Sequence, residues 1–151
     1  MIERIISGGQ TGADRAALDF AIARGMPHGG WCPHGRLAED GIIPARYQLT
    51  ETPSPESIQR TEWNVRDSDA TVIFSIGQTL TGGAKRTFEF ALQYQKPCLH
   101  LSRERHGDSA TTKLASFLAK HGIKALNVAG SRQSEEPDVT PFTRQILAAV
   151  I

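Results

Sequence analysis

The sequence predicts an α/β fold built on one doubly wound parallel sheet of about five strands with helices on both faces. Three observations carry this. Short apolar segments bounded by glycine or proline alternate with segments of helical periodicity along the chain. Residues 70–76 (ATVIFSI) are apolar enough for a strand covered on both sides, as in parallel sheets. Two glycine-rich stretches each follow a strand and open a helix, the arrangement that binds ligands in open α/β sheets.

The elements follow in order. Residues 2–7 form the first strand, ended by Gly8-Gly9. Residues 13–24 form a helix with Ala13, Ala17, Phe20 and Ala21 on one face and Gly25 as its stop. Asp14 lies in its first turn, where the helix dipole favours a negative charge. Residues 28–32 form a second strand, weakened by its glycines. Residues 33–52 are too long for an ordinary connection and are expected as an ordered flap over the site, with Ile42, Ile43, Tyr47 and Leu49 buried. Ser54 is read as an N-cap with Pro55 at the first helical position, and Ile58, Glu62 and Val65 share a face of that helix.

After the strand at 70–76, a helix runs from Gly82 or Gly83 to about Tyr94, with Phe88, Ala91 and Leu92 as its core stripe. A strand at 97–101, a helix at 110–121 and a strand at 125–129 come next. Residues 131–138 read as an exposed polar loop. Thr140 as N-cap and Pro141 open a C-terminal helix buried through Phe142, Ile146, Ala149 and Val150. The expected strand order is 2-1-3-4-5, which places the switch point between the strands ending at Ser7 and Ile76. The whole of residues 1–151 is expected as a single Rossmann-like domain.

Composition narrows the function. A net charge of +1 and the lack of a basic run argue against nucleic-acid binding. No apolar run approaches the ~20 residues that span a bilayer, and residues 1–4 do not open a signal peptide, so no membrane partner and a cytoplasmic location are expected. The two cysteines, Cys32 and Cys98, are far apart and are not expected to form a disulfide. Cys98 reads as core. Cys32 and His34 lack the ligand spacing of a metal site, and no metal is expected.

The first glycine loop is Ser7-Gly8-Gly9-Gln10-Thr11-Gly12-Ala13-Asp14-Arg15. Its glycines permit close backbone approach, its amides open a helix, Thr11 offers a hydroxyl and Arg15 a charge. The second is Gly77-Gln78-Thr79-Leu80-Thr81-Gly82-Gly83-Ala84-Lys85-Arg86-Thr87. Lys85 and Arg86 in a first helical turn oppose the helix dipole, which a bound anion would offset. Gly8, Gly9, Gln10, Thr11, Gly12, Asp14 and Arg15 are therefore binding candidates, as are Ser75, Gly77, Gly82, Gly83, Lys85, Arg86 and Thr87. Gly35 and Arg36 of the flap join them, with Arg60 and Asn64, one helical turn apart. No catalytic residue stands out: there is no Ser–His–Asp order, paired carboxylate spacing or activated thiol. These features point to a small anionic ligand.

Three segments together carry a family resemblance: Ser7-Gly8-Gly9-Gln10-Thr11-Gly12-Ala13-Asp14; Cys32-Pro33-His34-Gly35-Arg36 with Ala38-Glu39-Asp40-Gly41; and Arg60-Thr61-Glu62-Trp63-Asn64-Val65. The chain resembles the molybdenum cofactor carrier family over residues 4–101. That family is Rossmann-like and related to the LOG, or lysine decarboxylase-like, phosphoribohydrolases. The resemblance implies a dimeric or tetrameric homo-oligomer that holds and protects molybdenum cofactor (molybdopterin), a pterin with dithiolene-bound molybdenum and a terminal phosphate. It also implies molybdoenzymes or cofactor-synthesis proteins as partners.

The alternatives are a LOG-like nucleotide phosphoribohydrolase and a nucleotide-ligand sensor. The LOG motif is PGGxGTxxE. Here Gly82, Gly83 and Glu89 match it, while Lys85 and Arg86 replace its third glycine and its threonine, and Arg86 is placed to pair with Glu89.

Overall fold

The computed structural model describes residues 1–151. In chain order the elements are β1 (Arg4–Ile6), α1 (Ala13–Ala23), β2 (His28–Gly29), β3 (Trp31–Cys32), β4 (Leu37–Ala38), β5 (Gly41–Ile42) and β6 (Thr50–Glu51). Then follow α2 (Ser57–Arg66), β7 (Ala70–Ser75), α3 (Gly82–Gln93), β8 (Cys98–Ser102), α4 (Arg103–His106), α5 (Ser109–His121), β9 (Ala125–Gly130) and α6 (Val139–Val150). The main sheet has five strands in the order β2-β1-β9-β7-β8, and every pairing in it is parallel. The α/β doubly wound fold is as expected.

The strand order is not. The last strand enters between the first and the third, with Asn127 in register with Ile6 on one side and Thr71 on the other. Alternation of elements dictates parallel pairing but leaves neighbours unspecified. Read from β9 onward, the observed order becomes 3-2-1-4-5, the dinucleotide-binding arrangement. Burial agrees with it. Every residue of β7 is buried, whereas Cys98, Leu99 and His100 on the edge strand β8 are half-buried.

Strand alternation divides the two faces. Ile5, Val72, Phe74, Leu101, Leu126 and Val128 face α1, α5 and α6, and they form the main core with Ala17, Phe20, Leu114, Phe142, Ile146 and Leu147. Each such side chain contributes about 1.5–3 kcal/mol by leaving water. Phe74 and Phe142 meet edge to face, their centroids 5.8 Å apart. α2 and α3 pack against each other on the opposite face, which receives Thr71, Ile73, Ser75 and Asn127.

Several local expectations are revised. Residues 28–32 split at Gly30, with β2 joining the main sheet and β3 pairing with β6. Gly30 sits at φ +132°, and a Cβ there would lie 2.2 Å from the Ser7 carbonyl oxygen. The flap is ordered, with Ile43 and Tyr47 buried beside Leu18 and Cys32 and with Leu49 packed against them. Ile42, however, is 73% exposed, because the β4–β5 hairpin alternation turns it outward. Helix α2 begins at Ser57 with Glu56 as its N-cap, while Ser54 instead accepts the Glu56 amide in a turn. On its inner face Arg60, Asn64 and Val65 are buried, not Ile58 and Glu62.

In α3 the buried stripe is Ala84, Thr87 and Ala91, leaving Phe88 37% and Leu92 64% exposed. The helix packs by small residues, so its larger apolar ones face out. Helix α6 begins at Val139 after Asp138, one residue before the expected cap, and buries Phe142, Ile146 and Leu147 while Ala149 is exposed. Cys98 is half-buried at the sheet edge, where burial alone pushes its thiol up to about 12.

Gly130 tests this packing. It ends β9 at φ +154°, and a Cβ would lie 2.1 Å from the Phe74 carbonyl oxygen and 2.8 Å from the Ala13 Cβ. Gly130→Ala should lose about 3 kcal/mol or more in urea denaturation. Gly25→Ala, in open space at φ +64°, should lose only about 1 kcal/mol. Equal losses would refute the close approach of β9 and β7.

Candidate functional site

The loops after β1, β7 and β9 and the inner faces of α2 and α3 meet at the carboxyl edge of the sheet. At its centre Arg60 of α2 reaches beneath the first glycine loop. Its Nη1 donates to the Gly8 carbonyl at 3.1 Å and lies 3.5 Å from Asp14 Oδ2, and its Nε donates to the Ser57 carbonyl at 3.2 Å. Arg60 is only 9% exposed, and its Nη2 has no acceptor in the protein. A Cβ on Gly8 would lie 2.3 Å from Arg60 Nη1, so this glycine makes way for a guanidinium. Burial pushes the Asp14 carboxyl up, against the pull of Arg60. Burial pushes the Arg60 guanidinium down, with the charge of Arg132 adding to the fall and Asp14 opposing it.

A cleft of about 50 Å3 opens beside this pair, lined by Gly8, Arg60, Gly83, Thr87, Asn127 and Arg132 among others. Thr81, the N-cap of α3, makes no side-chain capping bond, so the first amides of that helix are left for a ligand or solvent. Asn127 donates through Nδ2 to Thr71 Oγ1 at 3.1 Å, and its Oδ1 has no protein donor. Arg132 approaches Glu135 at 3.5 Å. A second cavity of about 180 Å3 adjoins the first, lined by Ser75, Thr79, Thr81, Ser131 and Glu136 and sharing Ala84 and Glu135 with it. A cavity of about 460 Å3 near both termini is lined wholly by apolar residues and offers no side chain to orient a polar ligand.

The loop amides are less free than the sequence implied. The Gln10 amide donates to Asp14 Oδ2 at 3.2 Å. The amides of Ile76 and Gly77 donate to the Glu136 carboxylate at 2.9 and 2.8 Å, and the Ser131 hydroxyl donates to it at 2.5 Å. Ser75 Oγ donates to the Gly77 carbonyl at 2.7 Å and lies 2.6 Å from His100 Nε2. With the hydroxyl proton spent on Gly77, Nε2 carries the ring proton and donates. Burial foremost, then the charges of His106 and Arg105, lowers His100 below its ordinary value.

Gly8, Gln10, Asp14, Arg60, Asn64, Gly83 and Thr87 of the sequence candidates line the cleft, while Ser75 lines the adjoining cavity. Asn64 also has a scaffold role: Oδ1 accepts the Trp31 amide at 2.7 Å and Nδ2 donates to its carbonyl at 3.0 Å. Thr87 Oγ1 donates to the Gly83 carbonyl, and Gly77 is tied to Glu136.

The remaining candidates lie elsewhere. Arg15 grips Asp40 through both amino nitrogens and donates to the Gly9 carbonyl, and so fastens the flap. Gly9, at φ +82°, packs under Leu49 and Ile43. Gly12, at φ +83°, approaches Ser131. Thr11 Oγ1 donates to Glu39, which also accepts from the Ser134 amide and hydroxyl. The Gly35 amide donates to Glu51, and Arg36, at φ +55°, staples the flap through the carbonyls of Ile43, Pro44 and Tyr47. Gly82, Lys85, Arg86 and Glu89 are exposed on α3, and no ion pair joins Arg86 to Glu89. Cys32 is buried and His34 faces Glu51. No cluster of His, Cys, Asp or Glu could hold a metal ion.

Sequence reasoning missed Asn127, Arg132, Glu135 and Glu136. They lie on the last strand or follow it, and the assumed order put that strand at the sheet edge, away from the switch point. Placed centrally, β9 brings them to the crevice.

Fold and cleft position define a Rossmann-like α/β protein. The model of the circularly permutated YpsA SLOG family matches residues 5–151, and the chain belongs to that family. A strand order that reads 3-2-1-4-5 from β9 fits the permutation. Among solved structures, the chain is similar to one named "Putative molybdenum carrier protein" from Syntrophus aciditrophicus SB. The two share 50% identity, over 99% of this chain and 95% of that one, with a TM-score of 0.97. A second structure, (E)-4-hydroxy-3-methyl-but-2-enyl diphosphate reductase, is 8% identical over 95% of this chain and 59% of that one, and its TM-score of 0.38 carries no argument. No protein with a curated description matches. No helix is long and apolar enough to cross a membrane.

The clamps on the flap and on residues 131–136 should fail in acid. The Ser134 and Thr11 hydroxyls hold Glu39 below its ordinary 4.5, and Arg15 holds Asp40 below 3.8. Burial raises Glu136, but its bonds from Ser131, Ile76 and Gly77 together bring it below 4.5. Carboxyls lowered on folding stabilise above their unfolded values, and that contribution is lost as pH falls through the folded ones. Amide exchange at Ile76, Gly77 and Ser134, corrected for intrinsic rate, should be slow at about pH 6 and accelerate below about pH 4. Protection unchanged at about pH 3 would contradict these carboxylate anchors.

Proposed function

We propose that the chain is a carrier that binds and shields molybdenum cofactor, or a closely related phosphate-bearing pterin, at the carboxyl edge of its sheet. The observation that carries this is a convergence on one cleft: the buried Arg60, Arg132 from the opposite side, and the uncapped N-terminus of α3. Such groups favour an oxyanion. The half-identical Syntrophus protein supplies the molybdenum in the proposal through its name. A cleft of about 50 Å3 suits a small charged group, whereas whole-ligand sites run to about 300–1,000 Å3. The phosphate therefore sits in the cleft and the pterin lies across the adjoining cavity. With no cluster to ligate a metal, the protein holds the organic part of the cargo.

The reading includes one ligand-binding domain, a cytoplasmic homo-oligomer, and hand-over to molybdoenzymes or cofactor-synthesis proteins. Glu89, the counterpart of the hydrolase motif's acid, is exposed on α3 and does not line the cleft. That supports holding over hydrolysis.

Native protein should copurify with a pterin detectable by mass spectrometry and absorbance, and it should slow oxidation of added cofactor relative to buffer. Arg132→Ala should weaken binding about tenfold or more, the worth of one charge-assisted contact. Arg86→Ala, at an exposed position outside the cleft, should change it less than about twofold. Nucleoside monophosphates should release no free base. No protection of the cofactor, or base release abolished by Glu89→Ala, would overturn the proposal.

A further inference from the structure

The end of β7 carries an anion-shaped seat that the chain fills itself. The amides of Ile76 and Gly77 point the same way, and both donate to the carboxylate of Glu136. The Ser131 hydroxyl donates to the same Oε1 as Ile76. The Gly77 amide is held in place from behind, because the Ile76 carbonyl of the same peptide unit accepts from Ser102 Oγ and from the Glu104 amide, each at 3.0 Å. At Gly77 a Cβ would press on Glu136 Oε2 at 3.3 Å. Successive amides set in a turn make an anion-binding concavity. The hydroxyls of Ser75, Thr79 and Thr81 line the adjoining cavity of about 180 Å3, which has room for more than the carboxylate.

The occupant belongs to an irregular segment fastened by side-chain bonds. Residues 131–138 contain no regular structure apart from turns. Glu136 ties that segment to β7, Ser134 ties it to Glu39 of the flap, and the Gln133 amide ties it to Thr11 of the first loop. The same segment brings Arg132 and Glu135 to the cleft. We propose that the Ile76–Gly77 amides and the Ser131 hydroxyl form a phosphate site, which phosphate takes by exchange with the Glu136 carboxylate. The proposal extends the anion reading of the neighbouring cleft to a second position. Exchange frees residues 132–138 from the end of β7 while Ser131 stays bonded to the Phe74 carbonyl, so occupancy here changes how Arg132 is presented next door. Glu136 is ionised at neutral pH, because its three donors outweigh the effect of burial, and it therefore competes as an anion.

The test is an amide-resolved NMR titration with inorganic phosphate of the wild type, Glu136→Gln and Glu136→Ala. The glutamine keeps the size and an acceptor, so it remains folded if alanine does not. The Ile76 and Gly77 amides should shift saturably in all three, with phosphate about tenfold tighter in the variants because the internal competitor has gone. In the wild type alone, resonances of residues 132–136 should move as well. No shift at Ile76 and Gly77, or equal affinity in wild type and variants, overturns the proposal. So does a wild-type shift at those amides with residues 132–136 unmoved. Shifts at Gly83 and Ala84 alone would leave the cleft reading standing and remove this one; shifts at Ile76, Gly77 and residues 132–136 with Gly83 and Ala84 unmoved would do the reverse.

Discussion

The buried pair of Arg60 and Asp14 organises everything at the carboxyl edge. A guanidinium taken from water is costly unless it is paired and hydrogen-bonded. Arg60 meets that condition with one carboxylate and two carbonyls, those of Gly8 and Ser57. The bond to Gly8 fixes the first loop against α2. The residue at position 8 must then be glycine, since any side chain would occupy the guanidinium's place. Asp14 in turn takes the Gln10 amide and shapes the turn into α1. One nitrogen, Nη2, is left without a protein acceptor, and Arg60 lines the cleft together with Arg132.

From that centre outward, anions of the chain act as fasteners. Asp14 serves the first loop, Glu136 the second, and Glu39 and Asp40 hold the flap to both the first loop and residues 133–134. The glycine-rich loops were expected to keep their amides for a ligand. The structure satisfies much of that capacity internally, and the cleft is lined instead by the start of α3, Arg60 and Arg132. This is why exposed Lys85 and Arg86, so prominent in the sequence, stand outside the cleft, whereas Arg132 lines it.

The fold class, the five strands of the main sheet and every helix but α4 were legible because alternating apolar segments and glycine stops report directly on local structure, whereas the two-residue strands β4, β5 and β6 within the flap carry no such signal. The boundaries of α2 and α6 slipped because Ser54 and Thr140 are plausible caps whose competitors, Glu56 and Asp138, carry no stronger local signal. Burial on α3 was misjudged because the helix packs on small residues, and size alone does not reveal which face is inward. The site was half legible. Loop glycines, Arg60 and Asn64 declared themselves by residue type and spacing. Asn127, Arg132, Glu135 and Glu136 depended on strand order, a long-range property that periodicity does not encode.

That order has a consequence for how the molecule assembles. The strand joining the two halves of the sheet is the last one made. Without β9, β1 pairs only with β2 and β7 only with β8, with no ladder between the two pairs. Neither pair is expected to be stable alone. The crevice, the main core and the seat of Arg132 thus all depend on residues 125–130 lying between the two pairs. A chain cut short before that point would retain both glycine loops, the flap and Arg60, yet have no sheet on which to set them.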